Sequence, residues 1–281
     1  SESRDHRAFA SHSLPLALAM PVLQSLRRPH DRTDADPSLI DIHIRDGRQK
    51  GFLDQRRIRH FILIATLDED LFRETPKSGG KGRELRWRIG EFVKNRGVEI
   101  GVTLPHPHGQ IYGYSYLPIV TRQMLGAAQR YFAANGRVLL DDVIAREIAD
   151  EIRVVARNAE WIAYVPFAAR YPYEIHIAPL RGVALLTDLD EAASAAFADV
   201  YHEVLNRLDG VFGVEMPYIA AWHQAPLHEG HDVQRVHLQV TSIRRSPDKI
   251  KYLAGSESAM GAFISDVTPE QAAAQLREVV L

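Results

Sequence analysis

Between Asn95 and Gln110 the sequence reads NRGVEIGVTLPHPHGQ, with His106, His108 and Gln110 at alternate positions. Along an extended chain, alternation places all three on one side. A neutral imidazole near pH 7 is a good nucleophile toward phosphorus and a competent leaving group from it, so a histidine here can hold a nucleotidyl group covalently. The intervening residues supply geometry. Pro107 fixes its own φ and biases His106 to an extended conformation, and Gly109 lets backbone approach a phosphate without a Cβ.

The elements around this segment must position it. VEIGVTL, starting at Val98, reads as a strand, PHPHG as a turn, and QIYGYSYLP as a second strand-like run, so the two histidines sit at a strand junction. After Pro118 the pattern predicts a helix through Phe132, a turn at Asn135-Gly136 and a second helix over about Asp141 to Glu151. Short β-branched and aromatic runs follow at Arg153 to Arg157, Trp161 to Phe167 and Glu174 to Ala178. Ala193, Ala196, Phe197, Val200, Val204, Leu205 and Leu208 then recur at helical spacing, with Asp188 or Asp190 available as the cap. Strands at Pro217 to His223 and Arg235 to Ile243 precede a last helix that opens on Thr268-Pro269-Glu270-Gln271, a capping box with a first-turn proline. Strands in runs, with helices between the runs, argue for an α+β fold built on antiparallel sheet. The order also looks duplicated, which predicts two related subdomains, 1–145 and 146–281. Residues 1 to about 90 show no sustained period. Within them, Phe61 to Leu67 suits a buried strand and Lys77 to Gly82 a plain loop, since its glycines and lysines lack phosphate-loop spacing.

Composition narrows the classes of partner. The chain has 281 residues, a net charge of -2 and no cysteine. Near-zero charge gives no basic field for a nucleic-acid backbone or an anionic membrane, which leaves a small molecule as the expected partner. Without cysteine there is no disulfide framework and no thiolate metal site, a composition compatible with a reducing compartment. The apolar run Leu14 to Leu26 contains Pro15 and Pro21 and falls short of the roughly 20 residues that span a bilayer. No A-x-A-like cleavage site follows it, so it is expected to pack rather than to anchor or direct export.

The segment H-P-H-G-Q after N-R-G-x-E-I-G resembles the active-site signature of the galactose-1-phosphate uridylyltransferase family, within the histidine-triad superfamily. Ala221-Trp222-His223-Gln224-Ala225-Pro226, Val236-His237-Leu238-Gln239 and Lys251-Tyr252-Leu253-Ala254-Gly255-Ser256-Glu257 resemble its later motifs. The resemblance runs from about Asn95 to the C-terminus. It implies two histidine-triad-like subdomains, each an antiparallel sheet with flanking helices. It also implies a cytoplasmic homodimer that moves UMP from UDP-glucose to galactose 1-phosphate, so that the partners are a UDP-hexose and a hexose 1-phosphate. Residue by residue, it makes His108 the nucleophile, with His106 beside it orienting its ring through the backbone carbonyl. It has Gln110 hydrogen-bond the nucleotidyl phosphate, sets Asn95 and Thr103 at other phosphate contacts, and puts Lys251 and Glu257 near the bound sugar or phosphate. Glutamine in the third position suits a transferase: it donates to a phosphoryl oxygen but neither protonates a leaving group nor activates water.

The chain also departs from the family pattern. The family's zinc is held by a Cys-x-x-Cys pair, an upstream histidine and the residue matching His106, and the cysteines are missing here. A second metal site uses a glutamate, which falls near Met124, and three histidines, matched by His223, His237 and, in place of the third, Gln239. Met and Gln are poor replacements, so no metal is expected at either place, no cofactor is required, and His223 and His237 become hydrogen-bonded core histidines. In the first third of the chain the family's nucleotide clamp has no residue-by-residue match; Arg73, Arg83 and Arg96 are candidates for phosphate contact on chemistry alone. Two alternatives stay open: a nucleoside-diphosphate-sugar phosphorylase or adenylyltransferase using the same intermediate, and a non-catalytic sugar-nucleotide-binding protein.

Overall fold

In a computed structural model of the chain, the described residues are 89–102, 109–114 and 116–281. Strands β1 (Ile89–Arg96), β2 (Gly109–Tyr114), β3 (Val154–Arg157), β4 (Trp161–Tyr164), β5 (Tyr173–Pro179), β6 (Tyr218–His223) and β7 (His237–Ser242) form one sheet in the order β2-β1-β6-β7-β5-β4-β3. Every pairing is antiparallel. Helices α1 (Ile119–Asn135) and α2 (Leu139–Asp150) lie between β2 and β3, α3 (Glu191–Phe212) between β5 and β6. A small hairpin, β8 (Arg244–Ser246) and β9 (Lys249–Ile250), then leads to α4 (Gly255–Met260) and α5 (Pro269–Glu278). The architecture is α+β, an antiparallel sheet with flanking helices. Strands from both sides of residue 145 share the sheet. Among the described residues no helix is long and apolar enough to cross a membrane.

The two faces of the sheet follow from the period of two along each strand. In β5, Tyr173, Ile175 and Ile177 alternate with Glu174 and His176; in β7, Leu238 and Val240 alternate with His237, Gln239 and Thr241. The apolar set joins Trp161, Ala163, Ala220 and Trp222 in the main core under α3, which contributes Phe197, Val200, Val204 and Leu208, and under α5, which contributes Ala272, Ala273 and Leu276. The opposite face carries the histidines, and at its β4 end α2 covers Ile162, Tyr164 and Ala178. The helix ends obey local chemistry. Asp190, one of the two expected caps, accepts from the Ala193 N–H at 2.8 Å. Thr268 and Gln271 close the expected reciprocal box around Pro269.

The segment entering the histidine loop differs from the sequence-based expectation. Val98 to Leu104 reads as a strand, yet Val98–Ile100 is a 3₁₀ turn and the strand is β1, one step earlier. Two glycines decide this. Gly97 has φ 112° and Gly101 φ 83°, backbone that a β-branched or bulky residue resists, so the chain turns between them whatever the strand propensity of Val and Ile. The flanking polar residues hold the turn. Arg96 reaches across to α3, donating from Nη1 to Asp209 Oδ2 at 3.0 Å and from Nε to the Met216 carbonyl at 2.9 Å, with its guanidinium 4.7 Å from the Tyr218 ring centre. Its reading as a phosphate contact is thereby overturned, because these structural partners occupy the fork. Arg73, Arg83, the Phe61–Leu67 strand and the Lys77–Gly82 loop lie outside the described residues. Glu99 pairs with Arg244 at 2.6 Å.

At Gly97 a Cβ would fall 2.6 Å from Pro217 Cβ and 2.8 Å from Glu99 Oε2, whereas at Gly101 it would meet nothing within 4 Å among the described residues. Gly97→Ala is therefore expected to lose about 1–3 kcal/mol, from positive φ plus overlap, and Gly101→Ala less, from φ alone. Urea unfolding of the pair checks this; equal midpoints for the two variants would show that the Pro217 contact is not felt.

Candidate active site

Strand pairing aligns one row of residues across the sheet: Gln110 opposite Val93, Val93 opposite Ala221, Ala221 opposite Gln239, Gln239 opposite His176, and His176 opposite Tyr164. A second row, two residues along, runs Asn95, Ile219, Thr241 and Glu174. Residues paired across antiparallel strands share a face. Asn95 therefore lies on the face of Glu174, His176 and Gln239, and the segment carrying His106 and His108 leads directly into β2 at the end of that face.

The structure brings some of the sequence-predicted site residues together and leaves others undescribed. Thr103, His106 and His108 fall outside the described residues, and for Gln110 only the backbone is described, in β2. Asn95 sits near the end of β1, its Oδ1 shielded from water and without a hydrogen-bond partner among the described residues. A buried, unpaired amide oxygen costs free energy that a ligand donor can recover. Lys251 and Glu257 are brought together: Nζ lies 2.9 Å from Oε1, both side chains are buried, and Nζ also donates to the Ile264 carbonyl. Glu257 Oε2 accepts from the Ala254 N–H at 3.2 Å, so the pair also starts α4. The Lys251 hydrogen bond, with the backbone bonds, holds the Glu257 carboxyl down to about 2.

The strip of polar residues on β5 to β7 holds His223, His237 and Gln239, which the resemblance already grouped, together with Glu174 and His176, which sequence reading missed. His223 stacks on His237 with ring centres 5.3 Å apart, and His237 lies 5.6 Å from His176, which meets Tyr164 edge-on at 5.7 Å. His176 Nε2 donates to Glu174 Oε1 at 3.0 Å, and the Arg170 N–H donates to Glu174 Oε2 at 2.8 Å. A signal was present: Glu174-x-His176 and His237-x-Gln239 place polar groups at alternate positions of otherwise apolar strands.

Burial, then the positive charges of His176 and Arg170, push the His223 imidazole down to about 4. Burial and the other two rings lower His237 well below the usual histidine range. Burial raises Glu174, but the His176 hydrogen bond and Arg170 outweigh it and hold the carboxyl below its usual value. Stability follows with a definite sign. In the unfolded chain a histidine titrates near 6.5. Between about pH 6.5 and 4 the unfolded state thus binds more protons than the folded one, and stability is lost as pH falls through that window. Ionised Glu174 adds a loss of the same sign at lower pH. Thermal unfolding should give a lower Tm at pH 5 than at pH 7.5, and the gap should narrow in His223→Gln; an undiminished gap would assign the acid sensitivity elsewhere.

Neither family metal site fits these residues. The zinc set needs two thiolates, and the sequence has no cysteine. At the second place, His237 uses both ring nitrogens, Nδ1 toward the Arg235 carbonyl at 3.1 Å and Nε2 toward the Gln239 amide at 3.3 Å. Among the described residues no three His, Asp or Glu side chains are spaced to hold one ion. His231, in the neighbouring loop, donates to the Pro226 carbonyl at 2.7 Å.

The fold is that of the uridylyltransferases: the solved structure of a uridylyltransferase superposes with TM-score 0.72 at 32% identity, over 81% of this chain and 68% of the other. An ADP-glucose phosphorylase from Arabidopsis thaliana shares the fold, with TM-score 0.61 at 23% identity over 69% of this chain and 60% of the other. The profile of the galactose-1-phosphate uridyl transferase C-terminal domain matches residues 125–280, more than half of the chain. The chain belongs to that family. It is 38% identical over 197 residues to the galactose-1-phosphate uridylyltransferase of Thermotoga maritima, covering 67% of this chain and 61% of that one. To the Streptomyces lividans enzyme of the same name it is 42% identical over 197 residues, covering 66% and 55%. The chain thus spans between about half and three fifths of the length of these relatives.

Proposed function

We propose that this protein transfers UMP from UDP-glucose to galactose 1-phosphate by a ping-pong reaction through His108. The reading rests above all on the sequence His106-Pro107-His108-Gly109-Gln110, which ends in β2, whose partner β1 carries Asn95 with a buried amide oxygen unpaired among the described residues. The activity for which its relatives are named supports it. In the first half-reaction a His108 ring nitrogen attacks the α-phosphorus, the N–P bond forms, and the bond to the β-phosphate oxygen breaks, releasing glucose 1-phosphate with the electron pair. In the second, a phosphate oxygen of galactose 1-phosphate attacks the same phosphorus, the N–P bond breaks, and UDP-galactose leaves. The His106 carbonyl orients the ring by accepting its other N–H. Gln110, Asn95, Thr103 and the backbone N–H groups of the turn stabilise the phosphoryl oxygens. Lys251 and Glu257 border the sugar phosphate. The reaction needs no cofactor, since imidazole, amide and backbone supply every role, and the working unit is a homodimer in the cytoplasm.

The test is direct. The protein is incubated with UDP-glucose labelled at the α-phosphate, without acceptor, quenched in base because phosphoramidates are acid-labile, and digested for mass spectrometry. A uridylyl adduct on the His108 peptide that disappears on addition of galactose 1-phosphate is the expected result. Folded protein that forms no adduct with UDP-glucose or with other nucleoside-diphosphate sugars would sink the covalent mechanism.

A further inference from the structure

Three imidazoles and a carboxylate on one sheet face are by type a donor set for a metal ion, yet three hydrogen bonds of this cluster form one directed chain. Arg170 Nη2 donates to Gln239 Oε1 at 3.3 Å, Gln239 Nε2 donates to His237 Nε2 at 3.3 Å, and His237 Nδ1 donates to the Arg235 carbonyl at 3.1 Å. Each link dictates the next. A guanidinium has donors only, so the glutamine must turn its oxygen to Arg170 and its NH₂ to His237. That NH₂ requires a lone pair on His237 Nε2, which puts the ring proton on Nδ1, where the Arg235 carbonyl accepts it. Reversing the amide would set NH₂ against the guanidinium and place carbonyl against a ring whose other nitrogen would then face a carbonyl without a proton. Arg170 is itself anchored, through its backbone N–H, to Glu174, the partner of His176.

We propose that this donor relay from Arg170 through Gln239 takes the place of a metal ion in holding the β5–β7 polar face, and that Gln239 keeps the histidine cluster metal-free by occupying the one lone pair His237 has to offer. His223 and His176 flank that ring at 5.3 and 5.6 Å between ring centres. Gln239 is paired with Ala221 on β6 and His176 on β5, so a histidine in its position would face the same cluster. Gln239→His therefore both removes the amide and adds a ligand, and should convert the relay into a site for a divalent transition metal, for which imidazole is a suitable ligand.

Two measurements on untagged protein decide this. In the unaltered protein, ¹⁵N-detected histidine NMR should show His237 neutral with the proton on Nδ1; a proton on Nε2 would overturn the relay outright and needs no variant. Cobalt(II) titration is then compared between the unaltered protein and Gln239→His. The unaltered protein should show no visible ligand-field bands, whereas the variant should bind one equivalent with such bands and gain Tm that chelation removes. Cobalt binding by the unaltered protein that is lost in His237→Asn would overturn the proposal, as would folded Gln239→His that binds none. Should Gln239→His fail to fold, Gln239→Ala replaces it. Removing the amide frees the His237 Nε2 lone pair, so cobalt(II) should perturb the His237 ring resonances in that variant and not in the unaltered protein; an equal response in the two would overturn the proposal.

Discussion

His108→Ala is expected to lower uridylyl transfer by roughly four orders of magnitude or more, the scale seen when a covalent nucleophile is removed and only binding and electrostatic stabilisation remain. The loss should fall on turnover and leave UDP-glucose binding within a few-fold, because binding draws on the nucleotide and phosphate contacts rather than on the attacking nitrogen. Gln110 sharpens the test. In the proposed mechanism a neutral amide would stabilise the phosphoryl oxygens yet neither shuttle a proton nor activate water, so a uridylyl intermediate should survive until the acceptor arrives. Gln110→His introduces a group that can do both, and the adduct should hydrolyse faster in the absence of galactose 1-phosphate. Steady-state rates with and without acceptor, on variants shown to keep the parental Tm, check both. A His108→Ala protein retaining a tenth of the activity would remove the nucleophile assignment whatever Gln110→His does.

Much of the fold was legible because its signals are local. A short β-branched run marked β5, a strand reading over Arg235 to Ile243 marked β7, period 3.6 marked α3, and Thr268-Pro269-Glu270-Gln271 marked the start of α5. The motif on which the proposed chemistry rests is likewise local, since His106, His108 and Gln110 stand together in the chain. What escaped was set by tertiary contact or by backbone conformation. Val98 to Ile100 have strand propensity, but Gly97 and Gly101 impose a turn, and the close approach of Pro217 that makes Gly97 necessary comes from 120 residues away. Arg96 suits a phosphate by type and is claimed by Asp209 on a helix far along the sequence. Half of the histidine cluster escaped for a related reason: the resemblance grouped His223, His237 and Gln239, but Arg170, Glu174 and His176 join them only when β5, β6 and β7 pair in register. One residue of slip would have turned these side chains into the core.

Trp161→Ala is expected to be the most damaging single change in the core, at about 3–5 kcal/mol. Trp161 is fully shielded, on the helix-covered face of β4. Its ring meets Phe197 edge-on at 5.0 Å and Trp222 at 6.1 Å, and its indole N–H donates to the Ala193 carbonyl in the first turn of α3 at 2.8 Å. Alanine removes the ring contacts and leaves a void between sheet and helix that close packing cannot collapse without moving α3. Trp161→Phe keeps an aromatic ring and loses chiefly the hydrogen bond and part of the volume, so it should cost about 1–3 kcal/mol. The difference between the two separates packing from hydrogen bonding. Because β5, paired to β4, carries His176 on the opposite face of the sheet, a loosened core should also disturb the polar cluster, and His176 resonances should broaden in the alanine variant well below its Tm. Guanidinium unfolding measures the stabilities; a Trp161→Ala loss below about 1 kcal/mol would place that ring outside a packed core and break the two-faced account of the sheet.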